Sequence, residues 1–228
     1  MCGKITQRPD WTEALTPRQF NDVPADIPNG AAVDTITPMR FASVICLNPE
    51  GRRVQRRMRW GFVPADADDQ ALFGTKFIHA RAETIEQKPT FRDAFFKRRG
   101  LLVVDSFNEG EEITPKKTQQ YVVTPRGCRM LAIAVIWERW NGPGPVPLET
   151  FAMVTTPPNP LIATITDRMP AVLNDADWPK WLGEEPATVD ELKAMLKPSD
   201  LAMDMTRAGK PPPPPKPAKP PSPQGSLF

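Results

Sequence analysis

Residues 39–60 have the sequence MRFASVICLNPEGRRVQRRMRW, and this stretch decides the first part of the fold. Two β-rich runs, 39–47 and 52–60, flank an Asn-Pro-Glu-Gly segment at 48–51. Asparagine, proline and glycine favour tight turns, so the stretch predicts a β-hairpin. In the second run arginine alternates with Val54, Met58 and Trp60, which predicts a strand with one strongly basic face.

Beyond the hairpin, short β-rich runs and helical segments follow one another without a regular order. The sequence predicts strands at 101–104, 120–124, 130–137 and 151–155, with a further candidate at 168–173. Helical spacing predicts helices over 91–99, 175–182 and 188–196, and Thr188 and Glu191 have the spacing of a capping box. Because β-α-β alternation is absent from this pattern, the predicted fold class is α+β.

Proline and charge divide the chain into a body and a tail. Residues 209–228 hold nine of the 29 prolines, three lysines and no acidic residue. Removing these three charges from the net charge of +2 leaves −1 on residues 1–208. A segment of this composition cannot bury a core and favours an extended, polyproline-II-like, disordered state. We therefore predict one domain over 2–208 and a disordered Pro/Lys-rich tail over 209–228.

The composition excludes several classes of protein. A body of balanced charge is unlike a histone-like nucleic-acid binder. With a single histidine, His79, zinc sites of the Cys₂His₂ and HExxH types are excluded. Three cysteines without CxxC spacing indicate a reducing compartment, and neither a bilayer-spanning apolar run nor a secretory signal is found. We expect a cytoplasmic, nucleoid-associated monomer with no metal, no cofactor and no membrane contact.

Cys2 has the sharpest chemical interpretation of any residue in the sequence. A small second residue allows an aminopeptidase to remove Met1, which leaves Cys2 with an α-amine and a thiol on adjacent carbons. An α-amine has an unperturbed pKa of about 7.7–8.0, so part of it is neutral at pH 7 and can attack an aldehyde. The thiol can then close the imine into a thiazolidine. Two alternatives are that the thiolate attacks an ester or amide, and that Cys2 is incidental.

Six short motifs follow one another in a fixed order and spacing. They are Met1-Cys2-Gly3-Lys4; Arg59-Trp60-Gly61-Phe62-Val63-Pro64; Ile78-His79-Ala80-Arg81-Ala82-Glu83-Thr84; Lys88-Pro89-Thr90-Phe91-Arg92-Asp93-Ala94, leading into 98–109; Thr155-Thr156; and Thr166-Asp167-Arg168-Met169-Pro170-Ala171-Val172-Leu173, followed by Trp178 and Trp181-Leu182. Together they resemble the SOS-response-associated peptidase (SRAP) family, the abasic-site crosslinking proteins, over about residues 2–205.

The resemblance implies both a fold and an activity. Members of the family lose Met1 and use the new N-terminal cysteine to capture the ring-opened aldehyde of an abasic site in single-stranded DNA. The product is a thiazolidine DNA–protein crosslink that shields the lesion during replication, and the name "peptidase" reflects self-removal of the N-terminal residue. The implied fold is α+β, with a barrel-like mixed β core, flanking helices and a positively charged single-strand channel.

Two catalytic residues carry over from the family motifs. Cys2 matches the family nucleophile, and Glu109 matches the glutamate of the family's Gly-Phe-Tyr-Glu-Trp motif. A carboxylate beside the α-amine can accept its proton and return it during imine formation. The alternative is that Glu109 is a solvated loop acid in the acidic stretch that includes Glu111 and Glu112. This chain also has Asn108 and Gly110 in place of the two aromatic residues of the motif.

Two arginines are candidates for DNA binding. Arg81 and Arg168 match the arginines of the family's Asn-Ala-Arg-Ala-Glu and His-Asp-Arg-Met-Pro motifs, and the implied role is binding of phosphate. The alternative is that they form structural ion pairs with Glu83 or Asp167.

Aromatic and basic residues of the hairpin region are further candidates for DNA binding. Trp60 and Phe62 can stack on bases, although packing in the core is an equally good interpretation. Charge for the channel would come from the hairpin arginines at 52, 53, 56, 57 and 59.

The chain departs from the family pattern at two positions near the predicted site. Most members have asparagine where this chain has His79, and histidine where it has Thr166. The family histidine is thought to help protonate the sugar ring oxygen, which Thr166 cannot do as an imidazole would. One hypothesis is that His79, titrating near neutrality, replaces it as the acid. The alternative is that speed or reversal chemistry has been lost while Cys2 and Glu109 still capture the aldehyde.

The last five residues resemble a second known motif. Gln224-Gly225-Ser226-Leu227-Phe228 matches the bacterial sliding-clamp-binding pentapeptide at four of five positions, so Gln224, Leu227 and Phe228 are predicted to bind the replicative clamp. A flexible tether in front of such an anchor would raise its effective concentration at the fork. A random apolar end is the alternative.

Three functions are therefore weighed. The first is a suicide crosslinker of abasic sites with lyase-like chemistry. The second is a non-catalytic module that binds single-stranded DNA or a clamp and whose site has degenerated. The third is a thiol peptidase, which is disfavoured because the only histidine lies at the family's asparagine position.

Overall fold

The computed structural model describes residues 2–8, 34–127 and 130–209. These residues form twelve strands and three short helices. The strands are β1 (Lys4–Gln7), β2 (Asp34–Ile36), β3 (Phe41–Leu47), β4 (Arg53–Trp60), β5 (His79–Arg81), β6 (Arg99–Val104), β7 (Ser106–Thr114), β8 (Lys117–Pro125), β9 (Leu131–Trp140), β10 (Leu148–Thr156), β11 (Met169–Pro170) and β12 (Met203–Arg207); the helices are α1 (Pro89–Lys97), α2 (Trp178–Leu182) and α3 (Val189–Met195).

Five strands close into a barrel. Going around it, β10, β4, β3, β6 and β9 each pair with the next, and β9 pairs with β10 to complete the ring. The contact of β4 with β10 is parallel, and the other four are antiparallel. Strand β10 continues past the ring and pairs there with β5 and β11. The predicted α+β class with a barrel-like mixed β core is confirmed.

A second, antiparallel sheet has the strand order β12-β8-β7-β1-β2. It shares an apolar cluster with one face of the barrel wall, and the helices cover the other face. In β6, for example, Leu102 and Val104 belong to the cluster shared with the second sheet, while Leu101 and Val103 belong to the cluster covered by the helices. Strands buried on both faces have continuous rather than alternating apolar sequences, as β9 and β10 do.

The predicted hairpin is confirmed, with antiparallel register from Phe41 opposite Arg59 to Leu47 opposite Arg53. Its turn ends at Gly51, whose φ of 74° suits glycine. The prediction that the second strand has a single basic face is wrong in part, because Arg56 lies on the same side of the strand as Met58 and Trp60.

Two hairpin arginines already form ion pairs, and a third donates a hydrogen bond to a neutral side chain. Arg53 forms a two-point ion pair with Glu184, with distances of 2.7 and 2.6 Å. Arg56 pairs with Glu149 at 2.7 Å, and Arg59 donates to the Gln70 amide oxygen at 2.7 Å. Sequence alternation could not indicate these partners, which come from distant parts of the chain.

The predicted helices and most of the predicted strands are present. Helix α1 begins with proline at its first turn, and α3 has the full capping box between Thr188 and Glu191. The candidate strand at 168–173 is shorter than predicted: only Met169–Pro170 forms β11, and Val172 adds an isolated bridge to Ile133. The predicted tail from residue 210 onward lies outside the described residues. No helix in the described segments has the length and apolarity to cross a membrane.

Candidate functional site

The N-terminal strand holds Cys2 in a fixed position. Strand β1 pairs with β7, with Lys4 opposite Asn108, and on its other edge with β2. At the far end of β1 the buried Gln7 side chain donates to the backbone oxygens of Ser43 and Val103 at 2.9 and 2.7 Å, and it accepts from the Ser43 N–H at 2.8 Å. These bonds tie β1 to two barrel strands.

Glu109 lies directly against the backbone of Cys2. Both residues are 1% exposed, and the Glu109 carboxylate lies near the backbone N–H of Cys2. Burial raises the pKa of Glu109, and the nearby Cys2 N–H offsets part of that rise. The alternative interpretation of Glu109 as a solvated loop acid is wrong, because the residue lies within β7 and is buried.

The Cys2 thiol is kept in its neutral form. Its Sγ lies 3.6 Å from the carbonyl oxygen of Lys4, to which it donates. Burial raises the pKa of this thiol far above its usual range, and the negative charge of Glu109 raises it further. At neutral pH the side chain is therefore a thiol rather than a thiolate.

His79 completes the group around Cys2. It lies on β5 opposite Met153 of β10, and its imidazole lies near the backbone of Cys2. The edge of the Trp60 ring packs against it, with 6.2 Å between ring centroids. Within the described residues the buried Nε2 atom has no hydrogen-bond partner. We call Cys2, His79 and Glu109 the Cys2 pocket.

Burial argues against the hypothesis that His79 titrates near neutrality. Burial lowers the pKa of His79 to about 4, and the nearby positive charge of Arg168 acts in the same direction. The imidazole is therefore neutral at neutral pH. It can still donate or accept a hydrogen bond, but it lacks the second, acidic proton of an imidazolium in that pH range.

Trp60 and Phe62 are both fully buried. The Trp60 ring stacks on Phe151, and its Nε1–H donates to the carbonyl oxygen of Ile78 at 3.0 Å. Phe62 packs edge-on against Phe91. The structure thus puts both rings in the core, where a base cannot reach them, and core packing accounts for both residues.

Arg168 forms the ion pair with Glu83 that the sequence left open as an alternative. Both terminal nitrogens of its guanidinium donate to the Glu83 carboxylate, and Nη2 also donates to the carbonyl oxygen and hydroxyl of Thr155 at 2.7 and 3.2 Å. The Arg168 side chain is 10% exposed and that of Glu83 is 44% exposed. Arg81 lies opposite Thr155 at the end of β5 and is exposed, so these two arginines share one region.

Thr166 does not join the Cys2 pocket. It lies in the segment between the short helical turn Ile162–Thr164 and β11, and its backbone N–H donates to the Ile162 carbonyl at 3.1 Å. Within the described residues its side chain makes no hydrogen bond to Cys2, His79 or Glu109. The predicted partner-binding residues Gln224, Leu227 and Phe228 lie outside the described residues, as does Met1.

Gln7 and Thr155 are site-building residues to which the sequence analysis gave no role. A glutamine two positions after Ile5, on a strand that faces the core, is the signal that could have indicated Gln7. Thr155 was quoted only as part of a motif. In the described part of the chain, no group of three or more histidine, cysteine or acidic side chains could hold a metal ion.

Comparison with known proteins identifies the family. The SOS response associated peptidase (SRAP) family model matches residues 1–210. Abasic site processing protein YoqW of Bacillus subtilis (strain 168) is 31% identical over 201 residues, which cover 88% of both chains. Abasic site processing protein HMCES of Gallus gallus is 27% identical over 170 residues, covering 65% of this chain and 51% of that protein.

Solved structures share the same fold. A protein from Bordetella bronchiseptica has a TM-score of 0.72 at 21% identity, with 91% of this chain and all of that chain (100%) covered. A protein from Bacteroides thetaiotaomicron has a TM-score of 0.70 at 24% identity, with 77% and 78% covered. Because the family model spans the whole described body, this chain belongs to the SOS response associated peptidase (SRAP) family.

Proposed function

We propose that this chain processes abasic sites in single-stranded DNA and captures them covalently through Cys2 once Met1 has been removed. Its relatives are named abasic site processing proteins, which supports an abasic site as the substrate. The observation that carries the chemistry is that the buried Glu109 carboxylate lies beside the backbone nitrogen of Cys2. After removal of Met1 that nitrogen is the α-amine, so a proton acceptor already stands beside it.

Capture takes place in two steps. In the first, the neutral α-amine adds to the aldehyde carbon of the ring-opened sugar and a water molecule leaves, which gives an imine. In the second, the sulfur adds to the imine carbon, a C–S bond forms and the thiol proton moves to the nitrogen. One water is released overall, and no oxidant or reductant is required. Because burial keeps the sulfur protonated, the amine reacts first.

Glu109 moves the protons of the first step. It accepts a proton from the attacking nitrogen and donates one to the departing hydroxyl group. An ordinary glutamate is too weak a base and too readily ionised to do both well near neutral pH. Burial, which raises the pKa of Glu109, brings its proton affinity closer to the working range.

His79 has a positioning role in this proposal. Its imidazole lies near the backbone of Cys2 and restricts the orientation of the residue whose amine and thiol react. Arg81, at the end of β5, and Arg168, just before β11, supply positive charge for the phosphates that flank the lesion. Clamp binding by Gln224, Leu227 and Phe228 stays a prediction.

The thiol peptidase alternative fits the pocket less well. A cysteine peptidase needs a thiolate and a histidine that holds its proton. Here burial raises the pKa of the Cys2 thiol and lowers that of the only histidine, so both groups favour their neutral forms.

The proposal is tested by incubating the full chain with abasic and intact single strands and then denaturing the mixture. We expect a denaturant-resistant product with the abasic strand alone. Cys2→Ala keeps an α-amine but has no thiol, so its imine should survive denaturation only after borohydride reduction. Cys46→Ala removes another buried thiol of the same apolar cluster and should give the wild-type yield. A stable product from Cys2→Ala without reduction, or only non-covalent binding by the wild type, would contradict the proposal.

A further inference from the structure

A surface depression of about 530 Å³ lies on the barrel wall. It is lined by Phe41, Arg57, Arg139, Glu149 and the 146–148 segment, and we call it the Phe41 groove. Strands β4 and β10 are paired only at Arg59–Thr150 and Phe151–Trp60. The groove lies where the two strands part, next to these pairs. Its residues have no role in the Cys2 pocket.

The groove combines an aromatic platform with unneutralised positive charge. Phe41 is 44% exposed and Val146 is 78% exposed, so the apolar part faces solvent. Neither Arg57 nor Arg139 forms an ion pair with a described residue. The one carboxylate of the groove, Glu149, lies opposite Arg139 in the pairing of β9 with β10, but its ion pair at 2.7 Å is with Arg56.

These features indicate which kind of ligand the groove would bind. Two free guanidinium groups favour an anion with several oxygen atoms, and an exposed ring favours a flat partner that can stack. A strand of nucleic acid offers both in alternation. The chain's own tail does not fit, because residues 209–228 carry three lysines and no acid and would be repelled.

We propose that the Phe41 groove binds single-stranded DNA, with a base on Phe41 and phosphates on Arg57 and Arg139. The inference rests on the proposed function, since it assumes that single-stranded DNA is the substrate. The start of β10 at the groove is five residues from Met153, which faces His79, or about 17 Å along the strand. The groove therefore binds the strand away from the lesion and adds affinity without touching the reacting atoms.

The test measures binding of the full chain to intact dT strands of about 4 and about 16 nucleotides, the range of site sizes known for single-strand binding folds. We expect Phe41→Ala to weaken binding of the longer strand by at least about five-fold, the loss for one stacked base. The double variant Arg57→Ala/Arg139→Ala should lower the slope of log affinity against log salt by about 1.4, or 0.7 for each phosphate contact.

The controls separate this inference from the proposed function. Arg52→Ala removes an exposed arginine of the same hairpin that does not line the groove, and we expect it to have a smaller effect than either groove change. Crosslinking to a short abasic strand should be unchanged in the groove variants. If the longer strand binds all variants alike, or Arg52→Ala matches the double variant, the groove proposal is overturned. If the groove variants lose affinity while the wild type forms no covalent product, the groove stands and the capture chemistry fails.

Discussion

The Cys2 pocket and the Phe41 groove are two sites built on the same barrel with opposite surroundings. In the pocket, burial sets the protonation of all three groups: it raises the pKa of Cys2 and Glu109 and lowers that of His79. In the groove, the arginines face solvent and their charge is available to a ligand. Changes in the pocket should therefore alter chemistry, whereas changes on the surface should alter affinity and its dependence on salt.

The largest effect is expected from Glu109→Gln. The amide cannot accept a proton from the Cys2 nitrogen, so the rate of crosslinking should fall by about 100-fold or more, the usual contribution of general acid–base catalysis. Binding of an intact strand should change little. Single-turnover crosslinking and equilibrium binding, measured on the same preparation, check the two expectations.

A matched control for this change is Glu112→Gln, three residues further along β7, where the side chain is exposed. It removes the same charge from the same strand without touching the pocket, and we expect the wild-type rate. Equal losses in the two variants would mean that net charge, rather than proton transfer by Glu109, governs the reaction.

The second effect concerns stability at low pH. His79 has a pKa of about 4 in the folded chain and about 6.5 when unfolded, so the unfolded state takes up its proton first. Between pH 6.5 and 4 the wild type should lose up to about 3 kcal/mol of its free energy of unfolding through this group, with no contribution above pH 6.5. Urea denaturation of wild type and His79→Asn over this range isolates the difference, because the chain has no other histidine.

His79→Asn also tests what the histidine does in catalysis. Asparagine can still donate a hydrogen bond to the backbone of Cys2. Since the imidazole of the wild type is neutral above about pH 5, the two proteins should show crosslinking rates with the same pH dependence from 5.5 to 8. A step near pH 6.5 that is present only in the wild type would restore the hypothesis of a histidine acid.

Local sequence patterns predicted much of the fold. The hairpin at 39–60 and helix α1 follow from turn residues and from spacing, which depend only on neighbours in the chain. Strand β1 was not predicted, since four residues give too little periodicity. Strand β7 was not predicted either. Only its first half is buried, and its sequence includes an acidic run that does not resemble a strand.

The site was less predictable than the fold. Cys2, His79 and Glu109 are far apart in sequence, and only the family resemblance placed them together. No local pattern indicates that distant strands bury His79 deeply enough to lower its pKa. The sequence likewise suggested that the hairpin arginines were free to bind DNA. In the structure two of them form ion pairs with Glu184 and Glu149, which come from elsewhere in the chain. Burial and ion pairing depend on tertiary structure, so these properties could not be predicted from local sequence patterns.

A third, smaller effect is expected from Glu83→Gln. The Glu83 carboxylate binds the Arg168 guanidinium and would compete with a DNA phosphate for it, while Thr155 also accepts a hydrogen bond from the same guanidinium. Neutralising Glu83 should tighten binding of an intact strand by about five-fold, the effect of removing a repulsion of about 1 kcal/mol between unit charges in water. Glu86→Gln is the control, because that carboxylate lies on the same turn but pairs with Lys193. Weaker binding by Glu83→Gln would mean that the ion pair positions Arg168 for DNA.

The smallest effect distinguishes one continuous DNA path from two separate ones. Arg81→Ala, near the pocket, and Arg57→Ala, in the groove, should each lower the salt slope of binding by about 0.7 if each contacts one phosphate. When a single long strand reaches both places, the double variant loses about 1.4 from the slope at unchanged stoichiometry. Two strands bound independently would instead give two binding events, each with one reduced slope. Salt titrations of the four proteins with one long strand decide between these outcomes, because the slope counts contacts while affinity alone does not.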